Sequence, residues 1–317
     1  MNVQPFSHRT VLRDEVVRLL APVDGGVYAD VTLGGGGHSE AILAASAACK
    51  VIGVDRDEAA LEAARTRLSP FGARFTCVHG AFGDAAQLLE RPLSGLVADL
   101  GVSSPQLDDA TRGMSLRREA SAGPLDMRMD RSRGATAREF VAGLDADALA
   151  DVIFEYGEER RSRKIARAIK DAEARGALET TGDLRHAVYS AVGGQREGGI
   201  DPATRTFQAL RIAVNDELGQ LDRLLGALPE LLAGDGVAAI IAFHSLEDRR
   251  VKHAFSDEAT WQPLVKKPIE ASDAEVAANP RARSAKLRAA RRLRAGQALP
   301  DRRARYEEKR RKKWGAT

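Results

Sequence analysis

The chain predicts an α/β protein with a doubly wound parallel sheet interrupted by an all-helical insertion. Three observations carry that expectation. Four short β-prone runs alternate with helical stretches over the first hundred residues. These runs are nearly continuous in apolar residues, the pattern of strands covered on both faces. From about Gly113 to Pro202 no buried strand is legible, and strand character returns only at Val237 to Phe243.

Taken in order, Val27 to Thr32 is the first strand, closed by Gly34 to Gly37, with a helix from Ser39 to Ala48. Lys50 to Asp55 is the second strand, followed by a helix rich in Ala, Leu, Glu and Arg from about Glu58 to Leu68. Arg74 to His79 is the third, with a short helix from Ala85 to Glu90, and Gly95 to Leu100 is the fourth. The loop Arg117 to Arg133, rich in Gly, Ser, Arg and Met, reads as a hinge into the insertion. A long amphipathic stretch from Thr204 to Leu232 leads back to the sheet. The expected division is a discontinuous core of residues 1–112 and 206–317, its basic tail starting near 296, around a helical insertion of 113–205 that serves substrate recognition.

Composition narrows the class. In 317 residues, 44% hydrophobic and 29% charged, there is enough apolar material for a real core and no signature of global disorder. Aromatics make up only 5%, so the core must rest on Ala, Leu, Val and Ile. Two cysteines, Cys49 and Cys77, argue against a disulfide framework and fit a reducing compartment. The amino terminus carries no basic segment followed by an apolar one, and the run Val237–Phe243 falls far short of a membrane span. A cytoplasmic location is the expectation. Charge is unevenly placed: between Arg281 and Lys313, 15 Lys and Arg stand against three acidic residues, a balance of +12 within a net +3 that leaves the rest at −9. A basic segment on an acidic body suits a polyanion, most simply nucleic acid. A second cluster, from Arg160 to Lys170, falls on a helix with Ile165 and Ile169 and reads first as a solvated face.

The chemistry gathers where strands end. Asp30 to Ser39 follows a strand and opens a helix, so consecutive glycines allow close backbone approach and the helix offers free N–H groups. The dinucleotide fingerprint counted from Gly34 fails, because Ser39 stands where its third small residue belongs. Asp30, ahead of the glycines, suits a ligand carrying an ammonium group, and Asp55 is placed for both ribose hydroxyls. S-adenosylmethionine has those features and no phosphate. Phe82, after the third strand, lies where an adenine would pack. Asp99, Ser103, Ser104 and Gln106, beyond the fourth, converge near a reacting methyl group, because ligands of such folds bind past the carboxyl ends of the strands. The histidines His38, His79, His186, His244 and His253 show no metal-ligand spacing with Cys or carboxylates, so no metal is expected.

The residues that carry this reading also carry a resemblance. The segments His8 to Leu12, Asp30 to Ser39, Asp55 to Asp57, His79 to Phe82 and Asp99 to Asp108 resemble the MraW family of ribosomal small-subunit RNA cytosine-N4 methyltransferases. So do Gly123 to Asp130, Tyr156 to Arg160, Pro202 to Gln208, Phe243 to Asp248 and Asn279 to Ser284, in the expected order over roughly residues 8 to 288. Arg112 to Leu116 departs from the pattern, lacking the family's aromatic run, and the tail beyond about Ala295 lies outside it. The resemblance implies a class I, Rossmann-like methyltransferase core with an inserted helical domain. It implies S-adenosylmethionine held against Gly36, Gly37, His38, Asp55, Phe82, Asp99 and Gln106. The implied substrate is a cytidine in the decoding, P-site region of 16S rRNA in the small subunit.

A cytosine N4 amine is a poor nucleophile, so its lone pair must be aimed and its protons accepted as positive charge develops. Asp99 is the candidate acceptor, with Ser103 or Ser104 assisting, although Asp99 could equally serve only the cofactor. His244, after the Val237–Phe243 strand, is a candidate contact to RNA or the target base, or a structural hydrogen-bonding residue. For RNA, Arg281, Arg283, Lys286 and Arg288, with Arg291 and Arg292 beyond them, are the candidates for phosphate contact. Two other readings stay open: an NAD(P)-dependent oxidoreductase, and a ribosome assembly factor that keeps the fold without turnover. Monomer and homodimer are both compatible with the chain.

Overall fold

In the computed structural model, which describes residues 10–194 and 201–299, eight strands form one mixed sheet. They are β1 (Val27–Asp30), β2 (Lys50–Asp55), β3 (Phe75–His79), β4 (Leu93–Asp99), β5 (Leu232–Ala242), β6 (Trp261–Pro263), β7 (Ile269–Glu270) and β8 (Lys286–Arg292). Their order is β3-β2-β1-β4-β5-β8-β6, with β7 also paired to β8. The first five in that order run parallel, and β8 is antiparallel to each of its neighbours. The order reverses between β1 and β4, the switch point at which open α/β sheets bind their ligands.

The helices of the first part are α1 (Arg13–Leu20), α2 (Gly37–Ala45), α3 (Glu58–Leu68), α4 (Ala85–Leu88) and α5 (Ser104–Asp108). Side chains of successive strand residues point to opposite faces, and the two cores follow that rule. Tyr28, Val51, Val97, Ala239 and Ile241 enter one cluster with Leu12, Val16, Ile42, Leu61 and Leu68 from the first three helices and the segment before α1. Their neighbours Ala29, Leu96, Ala98, Ala238 and Ile240 enter the opposite cluster. There the cover is α11 (Glu217–Leu231) and α12 (Ser245–Ala254), through Leu221, Leu224, Leu228, Val251 and Phe255. Each fully buried Leu or Ile here contributes about 2 kcal/mol of transfer free energy, so two-sided cover stabilises this sheet more than any surface pairing.

Between the halves lie α6 (Ala137–Ala142), α7 (Ala146–Gly157), α8 (Ser162–Ala174), α9 (Thr181–Val192) and α10 (Thr204–Asn215). The last helix, α13 (Asp273–Ala278), precedes β8. The insertion owns a third core, built on Leu125, Met127, Leu149, Ile153, Ile165, Ile169, Leu184 and Val188. That core reaches through α10 to Phe207 and Leu210, past the boundary expected at 205. Two of its helices show matched caps: Thr136 and Glu139 form a reciprocal capping box on α6, and Asp145 caps α7.

Two sequence expectations change. Strand character does not end with β5, because β6, β7 and β8 follow. The segment read as a basic surface is itself a sheet strand: Leu287, Ala289 and Ala290 are fully covered, and Lys286, Arg288, Arg291 and Arg292 interleave with them. Its charges hid an alternation that is apolar wherever it meets the core. Of the basic tail, residues 300–317 lie outside the described residues, as do His8 and Arg9.

Candidate active site

The carboxyl ends of β1, β2, β4 and β5 open into one cleft, and the loops after them supply its walls. Gly34 and Gly36 take left-handed backbone angles, φ 48° and 77°, which bend the chain from β1 into α2. At Gly37 a Cβ would stand 1.7 Å from Thr10 Oγ1, so only glycine lets the segment before α1 close on the turn. Gly34, Gly37 and His38 line the cleft. Gly36 does not, and it faces Leu68 instead.

Asp55, at the end of β2, accepts the Gly34 N–H at 2.8 Å and the Asp57 N–H at 2.9 Å. Burial pushes its pKa up to about 6, although the two N–H groups pull the other way. Phe82, after β3, is half-buried and lines the same wall. Asp99, at the end of β4, is anchored by its N–H to Thr32 Oγ1 at 2.6 Å, and its Oδ2 lies 3.5 Å from His38 Nε2. Its Oδ1 is buried without a hydrogen-bond partner, and neither ring nitrogen of His38 makes a hydrogen bond. Buried polar atoms are rarely left unpaired, so this patch of the cleft floor is built to receive polar groups from outside the chain.

Asp30 takes a different place from the one expected. It is fully buried, does not line the cleft, and its Oδ2 accepts the Ser39 hydroxyl at 2.8 Å. Burial holds its pKa above the usual carboxylate range. The carboxyl lies behind the glycine turn and braces α2 from beneath through Oδ2, while its buried Oδ1 has no hydrogen-bond partner. Gln106 lines the cleft, yet both its polar atoms are engaged: Nε2 donates to Asp57 Oδ2 at 2.9 Å and Oε1 accepts the Ser103 N–H at 3.0 Å. Ser103 lines the cleft, whereas the side chain of Ser104 lies outside the described part of the structure.

His244 caps α12. Its Nδ1 accepts the Glu247 N–H at 3.4 Å, its Nε2 lies 3.2 Å from Glu247 Oε1, and it does not reach the cleft wall. Glu247 does, with Glu217 and Phe243. Burial pushes the Glu247 pKa up, but the contact with His244 and the Phe243 N–H at 2.8 Å leave it below the ordinary value. Ligand atoms of Glu217, His244 and Glu247 lie within 4.8 Å of one another, a metal-compatible grouping that sequence spacing missed. Arg211 already holds both oxygens of Glu217, at 2.8 and 2.9 Å, and His244 holds Glu247, so each carboxylate has a basic side chain of its own.

Of the basic candidates, Arg281 reaches the mouth of the cleft while its Nη2 donates to Asp108 Oδ1 at 2.8 Å. Arg283 is exposed and Lys286 half-buried. Arg288 makes a two-bond pair with Asp248 of α12, at 2.6 and 3.1 Å, which fastens β8 to that helix.

Sequence reasoning missed the hub beneath these groups. Asp57 Oδ1 caps α3 through the Ala59 N–H, and its Oδ2 receives both Gln106 and Arg112 Nη2, each at 2.9 Å. Arg112 Nη2 also donates to the Met129 carbonyl at 2.7 Å, and the Met129 N–H donates to Asn215 Oδ1 at 2.8 Å. Entry, hinge loop and exit of the insertion therefore converge two residues from Asp55.

Comparison with known proteins decides the family. Residues 5–293 match the MraW methylase family. The chain belongs to that family. It is 58% identical over 296 residues to the ribosomal RNA small subunit methyltransferase H of Sorangium cellulosum, covering 92% of this chain and 93% of that one. It is 49% identical over 289 residues to the protein of the same name from Nostoc punctiforme, covering 91% and 95%. Among solved structures, an rRNA methylase from Streptococcus thermophilus aligns over 89% of this chain and 94% of its own, at 10% identity and a TM-score of 0.43. As an MraW methylase the protein is a methyltransferase that uses S-adenosylmethionine, on a class I, Rossmann-like core. The cleft fits such a ligand: the Asp55 and Asp99 carboxylates, a glycine turn with backbone N–H groups, unpartnered polar atoms and an aromatic ring line it. Among the described residues no helix is long and apolar enough to cross a membrane.

Proposed function

We propose that the protein methylates N4 of a specific cytidine in the decoding, P-site region of 16S rRNA within the small ribosomal subunit, in the cytoplasm. The observation that carries the reading is Asp99, whose unpartnered Oδ1 sits in the cleft at the switch point of a methyltransferase sheet. Family membership and relatives named for small-subunit rRNA support the substrate class.

Bound S-adenosylmethionine supplies an electrophilic methyl group on a sulfonium. This chain's residues do the rest. Asp55 accepts the ribose hydroxyls, Phe82 packs on the adenine, and Gly37, His38 and the Asp99 region hold the methionine end. Gln106 acts by positioning, because its amide fixes the Ser103 backbone against Asp57. Asp99 Oδ1 accepts an N4 hydrogen, which aims the amine's lone pair and takes up the proton that the amine must lose. Thr32 anchors the Asp99 backbone through its N–H, and His38 faces the other carboxylate oxygen. Phe243 closes the apolar side of the target-base space, and His244 acts through Glu247 rather than on the base. Arg281, Arg283 and Lys286 reach RNA phosphates at the mouth, while Arg288 acts through the β8–α12 fastening.

The test is transfer of tritiated methyl from S-adenosylmethionine to small subunits purified from a strain lacking this gene, with naked 16S rRNA alongside. Label recovered as N4-methylcytidine at one decoding-region position supports the reading. Cofactor binding with no label in either substrate would favour an assembly factor without turnover, and label on another nucleoside would refute the N4 assignment.

A further inference from the structure

Helix α8 carries a row of basic side chains that the folded protein leaves uncompensated. Its buried face is Ser162, Ile165, Ala166, Ile169 and Ala172. On the opposite face Arg163, Lys164 and Arg167 are exposed, and Arg160 is exposed in the turn just before. No side chain of the four forms an ion pair or hydrogen bond with any other group among the described residues. Elsewhere in the insertion arginines find acids: Arg128 with Asp126, Arg138 with Glu179, Arg185 with Asp201. The acids of α8, Asp171 and Glu173, lie toward its carboxyl end, and Glu173 pairs with Lys170. Residues three and four apart on a helix are neighbours about 5–6 Å apart, and like charges there cost a few tenths of a kcal/mol each. An uncompensated row therefore disfavours the free protein and favours an anionic partner.

Its placement says where that partner lies. Glu158, at the end of α7, accepts from the Ser245 hydroxyl at 2.5 Å and from Arg249 Nη2 at 3.1 Å. The α7–α8 elbow is thus docked on the start of α12, directly after the β5 end that opens into the cleft. The basic row begins two residues beyond that dock. One turn before Glu158 stands Phe154, 57% exposed and one of two large apolar side chains so exposed among the described residues. A basic row with an exposed aromatic on the neighbouring helix matches the chemistry of RNA, whose phosphates take cations and whose unstacked bases pack on rings.

We infer that Arg160, Arg163, Lys164 and Arg167 form a second rRNA contact, binding the phosphate backbone of the segment that leads to the target cytidine. This rests on the rRNA substrate proposed above. Full-length protein carrying Arg163→Gln, Lys164→Gln and Arg167→Gln together is compared with wild type for binding to undermethylated small subunits across a salt series, and for methyl transfer. Arg13→Gln with Arg18→Gln, two exposed cations on α1, serves as the control. Three lost phosphate contacts lower the slope of log K against log salt by about 2–3 and weaken binding on the order of 10–100-fold near physiological salt. The expected signature is a raised KM for subunits with kcat and cofactor affinity unchanged and Tm equal to or slightly above that of wild type. An unchanged slope and KM would overturn the inference, as would an equal loss from the α1 control. Wild type that fails to bind or methylate subunits would instead sink the substrate reading itself.

Discussion

Asp55 makes cofactor binding depend on pH in a direction that the structure sets. Its pKa stands near 6 against an ordinary 3.8 because burial penalises the charged form. Two units correspond to about 3 kcal/mol between its protonation states. In the cofactor-free protein that shift stabilises the fold only while Asp55 is protonated. The contribution is fully present below about pH 4 and is lost as pH rises through 6. In the proposed role of Asp55, ribose hydroxyls would donate to the ionised form, so S-adenosylmethionine would bind the form that burial disfavours, and binding would lower this pKa. Affinity should be flat above about pH 7 and fall close to tenfold per pH unit below about 6, with proton release on binding near pH 6. Calorimetric titration from pH 5 to 8, in buffers of different ionisation enthalpy, reads both quantities. Asp55→Asn should bind more weakly at pH 8 and lose the pH dependence. Affinity independent of pH in the wild type, or a slope that survives in Asp55→Asn, would refute the argument.

Three further substitutions separate chemistry from scaffolding. Asp99→Asn, measured by single-turnover transfer to subunits, should lower kcat by about 10²–10³-fold with little change in cofactor affinity; an unchanged kcat with a raised cofactor KM would return Asp99 to cofactor binding alone. Arg112→Ala leaves Asp57 with one partner fewer in a buried site and should cost about 3–5 kcal/mol, read as a fall in Tm and in the denaturation midpoint. Arg112→Lys keeps the charge but cannot serve Asp57 and the Met129 carbonyl in the same geometry, so it should recover only part of that loss. Arg288→Ala should lower Tm by releasing β8 from Asp248 while the salt dependence of subunit binding stays that of wild type. A reduced salt slope with unchanged Tm would make Arg288 a phosphate contact after all.

The core was legible because its strands announce themselves by composition. Lys50–Asp55 and the helix Glu58–Leu68 lie where periodicity puts them, since a strand covered on both faces admits no polar interruption and a helix stripe recurs every 3.6 residues. The last three strands were not legible, for a physical reason. In β8 the basic residues alternate with small apolar ones, and Arg288 enters the sheet only because Asp248 is brought to it from a helix 40 residues earlier. Pairing of that range has no local signature. The same holds for β7, two residues long, which exists only by leaning on β8.

The site divides along a similar line. The residues proposed to contact the cofactor sit at strand ends, and Asp55, Phe82 and Asp99, which line the cleft, could be picked out from position alone. Residues that hold those groups in place could not. Asp57 reads as an ordinary helix cap, which it is, yet its second oxygen gathers Gln106 from beyond β4 and Arg112 from the entry of the insertion. A carboxylate with two buried donors on one oxygen is strongly tied to their geometry. Moving the insertion by an ångström must therefore disturb Asp57, and through its N–H the Asp55 carboxylate. RNA engaging the insertion and cofactor engaging Asp55 then act on one hydrogen-bonded unit, and linkage requires any coupling between them to be reciprocal. Cofactor should bind more tightly to the subunit-bound protein than to the free one, by the same factor that cofactor tightens subunit binding. Replacing Arg112 with Lys should shrink both factors together. Equal cofactor affinity with and without subunits would show that the hub serves stability only.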